Sequence, residues 1–296
     1  MSGQPAVLVT VDGEAVEVSD PDRPLLYADD LAAVRGDGVF ETLLVRAGGA
    51  CLVEAHLQRL VQSAAMADLP APRVQTWRRA IEAAVSRWIA RTDAEAVLRL
   101  VYSRGRESGS APTGYLTVGP VAERVAAARR DGVSALLLDR GVPASGVETM
   151  PWLLAGAKTL SYAVNMAALR HAARHGAGDV IFVSSDGFIL EGPRSTVVIA
   201  TADSAGRPAL RTPPPEYPIL RGTTQQALFE VAREKGYHCD YQPLRPADLH
   251  AAQGVWLVSS ITLAARVHTL DGQPLEPSQL GTEITELVDA AILSDR

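Results

Sequence analysis

The pattern of strand-like and helix-like segments in this chain runs once, breaks at a short Gly-Pro stretch and starts again. That restart constrains the fold more than any other feature. Residues 1–120 hold the first block, the linker falls at 121–126, overlapping Gly119-Pro120-Val121-Ala122-Glu123-Arg124, and residues 127–296 hold the second block. Each block mixes strands with helices, so the expected class is α/β (mixed α+β) in two domains. A length of 296 residues agrees, because beyond roughly 250–300 residues one hydrophobic core stops growing and chains divide.

In the first block, Ala6 to Val11, the Asp12-Gly13 turn and Glu14 to Val18 predict a hairpin. The turn Gly36-Asp37-Gly38 runs into a strand over Val39 to Val45, and its glycines permit positive φ or close approach of another backbone. Leu57, Leu60, Val61 and Ala64 recur at helical spacing within 53–69, with His56 and Arg59 on a neighbouring face. A second helix is expected over 74–89, and strands over 96–102 and 115–118 flank a polar loop, Ser103 to Ser110.

The second block opens with a strand over 133–138, then a helix over 161–175 closed by Gly176. Strands are expected at 179–183, 188–190 and 195–200, with the turn Glu191-Gly192-Pro193-Arg194 between the last two. A carboxylate on such a turn needs a partner. After a Pro-rich loop over 201–218, Leu220-Arg221-Gly222-Thr223-Thr224 starts a helix in which Thr223 and Gln226 have capping-box spacing. A helix start of this kind suits an anion such as phosphate. Strands at 255–258 and 265–270, separated by Ser259-Ser260, and a helix over 283–293 close the chain.

Several function classes fall away. A net charge of −6 argues against a general nucleic-acid binder. No apolar run approaches a membrane span, and Met1-Ser2-Gly3-Gln4 lacks the order of a signal peptide, so a cytoplasmic protein without a membrane partner is expected. Cys51 and Cys239 are too few for a disulfide framework or zinc site. His171 and His175 lie one helical turn apart, but no third ligand joins them, so no metal is expected.

Lysine usage is the sharper clue. Among 28 basic residues only Lys158 and Lys235 are lysine. Lys235 ends a helical run before Gly236, where any cation complements the helix dipole. Lys158, in Ala155-Gly156-Ala157-Lys158-Thr159-Leu160-Ser161-Tyr162, has no such reason. What arginine cannot do is lose a proton and attack a carbonyl, whereas a desolvated lysine forms Schiff bases. The plain alternative is a surface lysine in a loop before a helix. With a carboxylate on a turn at Glu191, a helix start at Gly222 and serines ending a strand, Lys158 completes the set of groups that a pyridoxal phosphate site requires.

Gly36-Asp37-Gly38-Val39-Phe40-Glu41-Thr42, His56-Leu57-Gln58-Arg59-Leu60, Lys158-Thr159-Leu160-Ser161-Tyr162, Glu191-Gly192 and Ile219-Leu220-Arg221-Gly222-Thr223-Thr224 resemble, in order, the motifs of the class IV aminotransferases. These are the fold-type IV pyridoxal phosphate enzymes, among them branched-chain and D-amino acid aminotransferases and aminodeoxychorismate lyase. The resemblance spans about residues 7 to 272. It implies a two-domain subunit with the cofactor in the interdomain cleft, and a homodimer whose partner completes the site. It implies further that Lys158 carries pyridoxal 5'-phosphate and moves the substrate proton, that Glu191 faces the pyridine nitrogen, and that Tyr162 lies near the phenolic oxygen. Arg59, Gly222, Thr223, Thr224 and Ser260 would surround the phosphate.

Within the family, Tyr102-Ser103-Arg104-Gly105 is similar to the Ser-Arg-Gly stretch of aminodeoxychorismate lyases. Arg104 and Arg106 suit a substrate with two carboxylates. D-amino acid aminotransferases carry a Tyr in the early glycine motif and an Arg and His in the central loop; here stand Phe40 and no His over 103–114. Thr196 and Arg221 replace the family's usual Asn and Pro. The expected reaction is therefore conversion of 4-amino-4-deoxychorismate to 4-aminobenzoate and pyruvate in folate biosynthesis. D-amino acid transamination, also as a second activity of the same site, is the alternative, followed by branched-chain transamination. A non-catalytic cofactor-binding protein is the reading from another class, and retention of both Lys158 and Glu191 argues against it.

Overall fold

Gly13 takes φ of +58°, and the hairpin expected there forms around it: β1 (Val7–Asp12) pairs antiparallel with β2 (Ala15–Ser19). A computed structural model of the chain describes residues 6–202 and 206–294, so Met1-Ser2-Gly3-Gln4 lies outside the described residues. A short α1 (Leu31–Val34) precedes β3 (Gly38–Arg46) and β4 (Gly49–Ala50). The helical periodicities become α2 (Val53–Met66) and α3 (Val74–Ile89), followed by β5 (Ala96–Ser103) and β6 (Thr113–Pro120). The six strands form one antiparallel sheet in the order β2-β1-β6-β5-β3-β4. Leu43, Leu57, Leu60, Trp77, Ile81, Leu98 and Leu116 fill the core of this layer.

Contacts divide the chain into two units. The first comprises residues 6–123 together with Ala157–Tyr162, a segment that returns from later in the sequence. It returns by strand-like pairing. Val39 and Thr159 form an antiparallel bridge, the Phe40 amide donates to the Lys158 carbonyl at 3.0 Å, and the Leu160 amide donates to the Gly38 carbonyl at 2.8 Å.

The second unit is built on α4 (Glu123–Asp131), β7 (Val133–Asp139), α5 (Ala163–Arg174), β8 (Asp179–Val183), β9 (Thr196–Ala202), β10 (Pro208–Thr212) and α6 (Thr223–Glu234). It continues with β11 (His238–Tyr241), α7 (Pro246–Ala251), β12 (Gly254–Ser259), β13 (Leu263–Leu270), β14 (Gln273–Pro274) and α8 (Gly281–Ala291). Its sheet runs β11-β10-β9-β12-β13-β7-β8, with β14 paired to β13. The pairs β10/β11, β13/β7 and β7/β8 are parallel and the rest antiparallel. Ile181, Ile189, Val197, Ile199, Val255, Leu257 and Val267 make its central core. Among the described residues no helix is long and apolar enough to cross a membrane.

The local differences from the sequence expectations have physical reasons. Helix α4 was not expected, because Val125 is its one buried side chain and no apolar stripe announces it. Residues 188–190 pair with β8 only through the isolated bridge Val183 to Ile189, flanked by the bonds from the Ser184 amide to the Phe188 carbonyl and from the Leu190 amide to the Phe182 carbonyl. The Phe182 amide then donates to the Glu191 carbonyl, so Phe182 faces two residues and the register breaks. The Pro-rich stretch read as loop contains β10, whose first residue, Pro208, stands where a strand tolerates proline. Thr223 does not cap α6; the N-cap is Gly222 and no side chain caps it.

Candidate active site

Lys158 is held at its main chain from two sides. Its carbonyl accepts from the Phe40 amide on β3, and its own amide donates to Ser63 Oγ on α2 at 3.0 Å. With the backbone fixed, the side chain has a defined direction. Nζ lies 4.5 Å from the centre of the Phe40 ring and 5.8 Å from that of Tyr162, and the two rings meet edge to face at 5.4 Å. Tyr162 and Phe40 are half-buried. An amine set against aromatic faces gains cation–π stabilisation while protonated and remains reachable as a nucleophile.

The opposite face of β3 carries a group that the sequence reading did not single out. Val39, Glu41, Leu43 and Val45 share the core-facing side, so Glu41 is a fully buried carboxylate in an apolar row. Its partners come from α2. Arg59 binds it in two-point fashion, Nε to Oε1 at 2.8 Å and Nη2 to Oε2 at 2.7 Å, and His56 Nδ1 lies 2.6 Å from Oε2. Burial alone would raise the Glu41 carboxyl, but the Arg59 charge and the Arg59 and His56 hydrogen bonds outweigh it and hold Glu41 well below the carboxylate range. Burial also pushes the His56 imidazole below its ordinary value, against the pull of Glu41. Glu41 was legible in principle, because it falls in the period-two register of the core face.

In the central loop both expected arginines already hold aspartates. Arg104 grips Asp37 through Nε at 2.6 Å and Nη2 at 3.2 Å, and reaches the carbonyls of Ala67 and Asp68 at 2.8 and 3.1 Å. It thereby ties the loop to the Gly36-Asp37-Gly38 turn. Arg106 donates to Asp29 at 2.9 Å and stacks over the Tyr27 ring at 4.1 Å. The Ser108 hydroxyl and Arg106 lower the Asp29 carboxyl to about 2. Beneath them buried Asp30 accepts from Ser103 Oγ, Thr113 Oγ1 and the Ala32 amide, fixing the base of the loop.

The second unit brings the other group of expected residues together. Glu191 follows β8 on a turn closed by Gly192 and Ser195, and its Oε2 accepts from the Leu220 amide at 3.0 Å. That bond places the Glu191 carboxylate at Leu220, two residues before the Gly222 N-cap of α6. At that start Gly222 packs so closely that a Cβ would overlap Thr196 Oγ1. Thr223 and Thr224 are buried in the first turn of α6, and Thr224 Oγ1 lies 3.5 Å from Ser260 Oγ beyond the end of β12. The backbone amides at a helix start, with hydroxyls beside them, make a donor set for an anion. Among the described residues no cluster of His, Cys, Asp and Glu forms a metal site.

The family model described as amino-transferase class IV matches residues 38–270. The chain belongs to the class IV aminotransferase family. A Mycobacterium tuberculosis protein named bifunctional aminodeoxychorismate lyase / D-amino acid transaminase is 69% identical to this class IV aminotransferase, over 98% of this chain and 100% of its own. Among solved structures, the PLP-bound form of a hypothetical aminotransferase from Mycobacterium tuberculosis superposes with a TM-score of 0.94 at 69% identity, covering 98% of this chain and 100% of that one. A fold IV transaminase from Curtobacterium pusillum gives a TM-score of 0.90 at 38% identity, over 98% and 99% of the two chains. The mixed architecture with its two sheets is thus that of the fold-type IV enzymes.

Proposed function

We propose that this chain is a pyridoxal 5'-phosphate-dependent aminodeoxychorismate lyase, converting 4-amino-4-deoxychorismate to 4-aminobenzoate and pyruvate for folate biosynthesis, with D-amino acid transamination as a second activity of the same site. The observation that carries the reaction is the full-length relationship to a protein whose name joins those two activities. The chemistry of the side chains supports the cofactor. Lys158 offers the amine, Glu191 a carboxylate oriented by the Leu220 amide, and Arg59, Gly222, Thr223, Thr224 and Ser260 a set of cationic and neutral donors suited to a phosphate.

When bound, the cofactor supplies an electron sink conjugated to the substrate nitrogen. Lys158 would be the residue that holds it, and its freed amine would take and return the proton at the substrate carbon bearing nitrogen. Glu191 would keep the ring nitrogen protonated, and Tyr162 would lie near the phenolic oxygen. Phe40 shapes the substrate side beside Lys158. Arg104 and Arg106 meet the two substrate carboxylates by sharing guanidiniums that already hold Asp37 and Asp29. For the lyase reaction, Lys158 would take the proton from the substrate carbon bearing nitrogen, and the enolpyruvyl group would leave from the neighbouring carbon and gain a proton to become pyruvate as the ring turns aromatic. For transamination Lys158 would return the proton at a different carbon, and hydrolysis by water would release the substrate as its 2-oxo acid. We take the enzyme to be a cytoplasmic homodimer.

One parallel assay separates the activities: 4-aminobenzoate formed from aminodeoxychorismate, against pyruvate formed from D-alanine with 2-oxoglutarate. Turnover in both is expected. Turnover in the second alone would remove the lyase reading.

A further inference from the structure

We propose that Ser63 is a positioning residue for Lys158, acting through the lysine main chain. This rests on the reading above that Lys158 attaches the cofactor. Ser63 is a buried hydroxyl on the side of α2 that also buries Leu57, Leu60 and Ala64. Alanine would pack there equally well, and a hydroxyl without a hydrogen bond is penalised in such surroundings. The bond it makes is to the Lys158 amide, 95 residues away in sequence, at 3.0 Å.

The placement gives that bond a consequence. Ser63 follows Arg59 by four residues, so both leave the same face of α2 one turn apart. On β3, adjacent residues serve the same two groups: the Phe40 amide holds the Lys158 carbonyl, and the Glu41 side chain holds the Arg59 guanidinium. One helix and one strand therefore locate both the amine that takes the cofactor aldehyde and the cation assigned to its phosphate. Remove the Ser63 hydroxyl and the amide side of Lys158 loses its anchor while Phe40 and the Arg59 clamp remain. The amine then reaches the aldehyde from a less defined backbone, whereas phosphate binding is untouched.

The experiment compares two ligands on the full-length apoenzyme, pyridoxal 5'-phosphate and 4-deoxypyridoxine 5'-phosphate, which has the ring and phosphate but no aldehyde to capture. In Ser63→Ala, pyridoxal phosphate should bind about fivefold more weakly, the effect of one lost neutral hydrogen bond, while the analogue binds within twofold of wild type. Ser63→Cys, with a weakly accepting sulfur, should fall between the two and serves if the alanine variant does not fold. An equal loss for both ligands would assign Ser63 to general packing and overturn the proposal, as would no loss for either. Lys158→Ala tests the underlying reading separately: it should abolish the preference for pyridoxal phosphate over the analogue, and a preference that survives overturns the role of Lys158 itself.

Discussion

Glu41 is where a single residue tells most about this chain. A carboxylate with no exposure is tolerated because Arg59 meets it at two points and His56 at a third. Breaking a buried ion pair by removing one partner commonly costs about 3–5 kcal/mol, since the remaining charge loses its counter-ion. Glu41→Gln should therefore lower the unfolding free energy at pH 7 by about 3 kcal/mol, read from urea titration; a loss below about 0.5 kcal/mol would show that the pair contributes nothing.

His56 adds a pH dependence. Its folded value is depressed by burial, so the unfolded state binds the proton more readily and stability rises with pH. The contribution is present above the unfolded value near 6.5 and is lost as pH falls from there toward the lower folded value. Unfolding midpoints should drop as pH falls below about 6.5 in the wild type and flatten there in His56→Gln. Equal slopes for the two proteins would remove His56 as the source.

At the scale of elements, the Gly36-Asp37-Gly38 turn matters because two other segments press on it. A Cβ at Gly38 would lie 2.8 Å from Leu160 Cδ1, from Ser103 Cα and from the Tyr102 carbonyl oxygen, two of which are backbone atoms that cannot swing away. Gly38→Ala should cost about 1–3 kcal/mol by overpacking and lower the calorimetric melting temperature. An unchanged melting temperature would mean that the returning segment does not need this close approach. The glycines were conspicuous in the sequence, and so were the elements with regular periodicity, β1, β2, β3, α2 and α3; α1 and β4 are too short to leave such a pattern. What packs against the turn was not, because Ala157–Tyr162 lies more than a hundred residues downstream and pairs through its backbone, which leaves no trace in side-chain pattern. The same holds for Ser63. The expected cap at Thr223 failed for a related reason: Gly222 is held against Thr196, so the first turn of α6 is set by packing and needs no side-chain cap. The amide partner of Glu191 belongs to Leu220, which no residue-type pattern marks.

For the whole molecule, the near-absence of lysine turns composition into an experimental advantage. Lys235 sits at the exposed C-cap of α6, where its charge complements the helix end as the sequence suggested. Lys158 alone is pinned at amide and carbonyl with its amine against two rings. Reduction of the protein with borohydride in the presence of pyridoxal phosphate, followed by peptide mapping, therefore has two lysines to choose between. One stoichiometric pyridoxyl adduct on Lys158, with Lys235 unmodified, is expected; an unlabelled Lys158 after addition of the cofactor would contradict its assignment as the cofactor lysine.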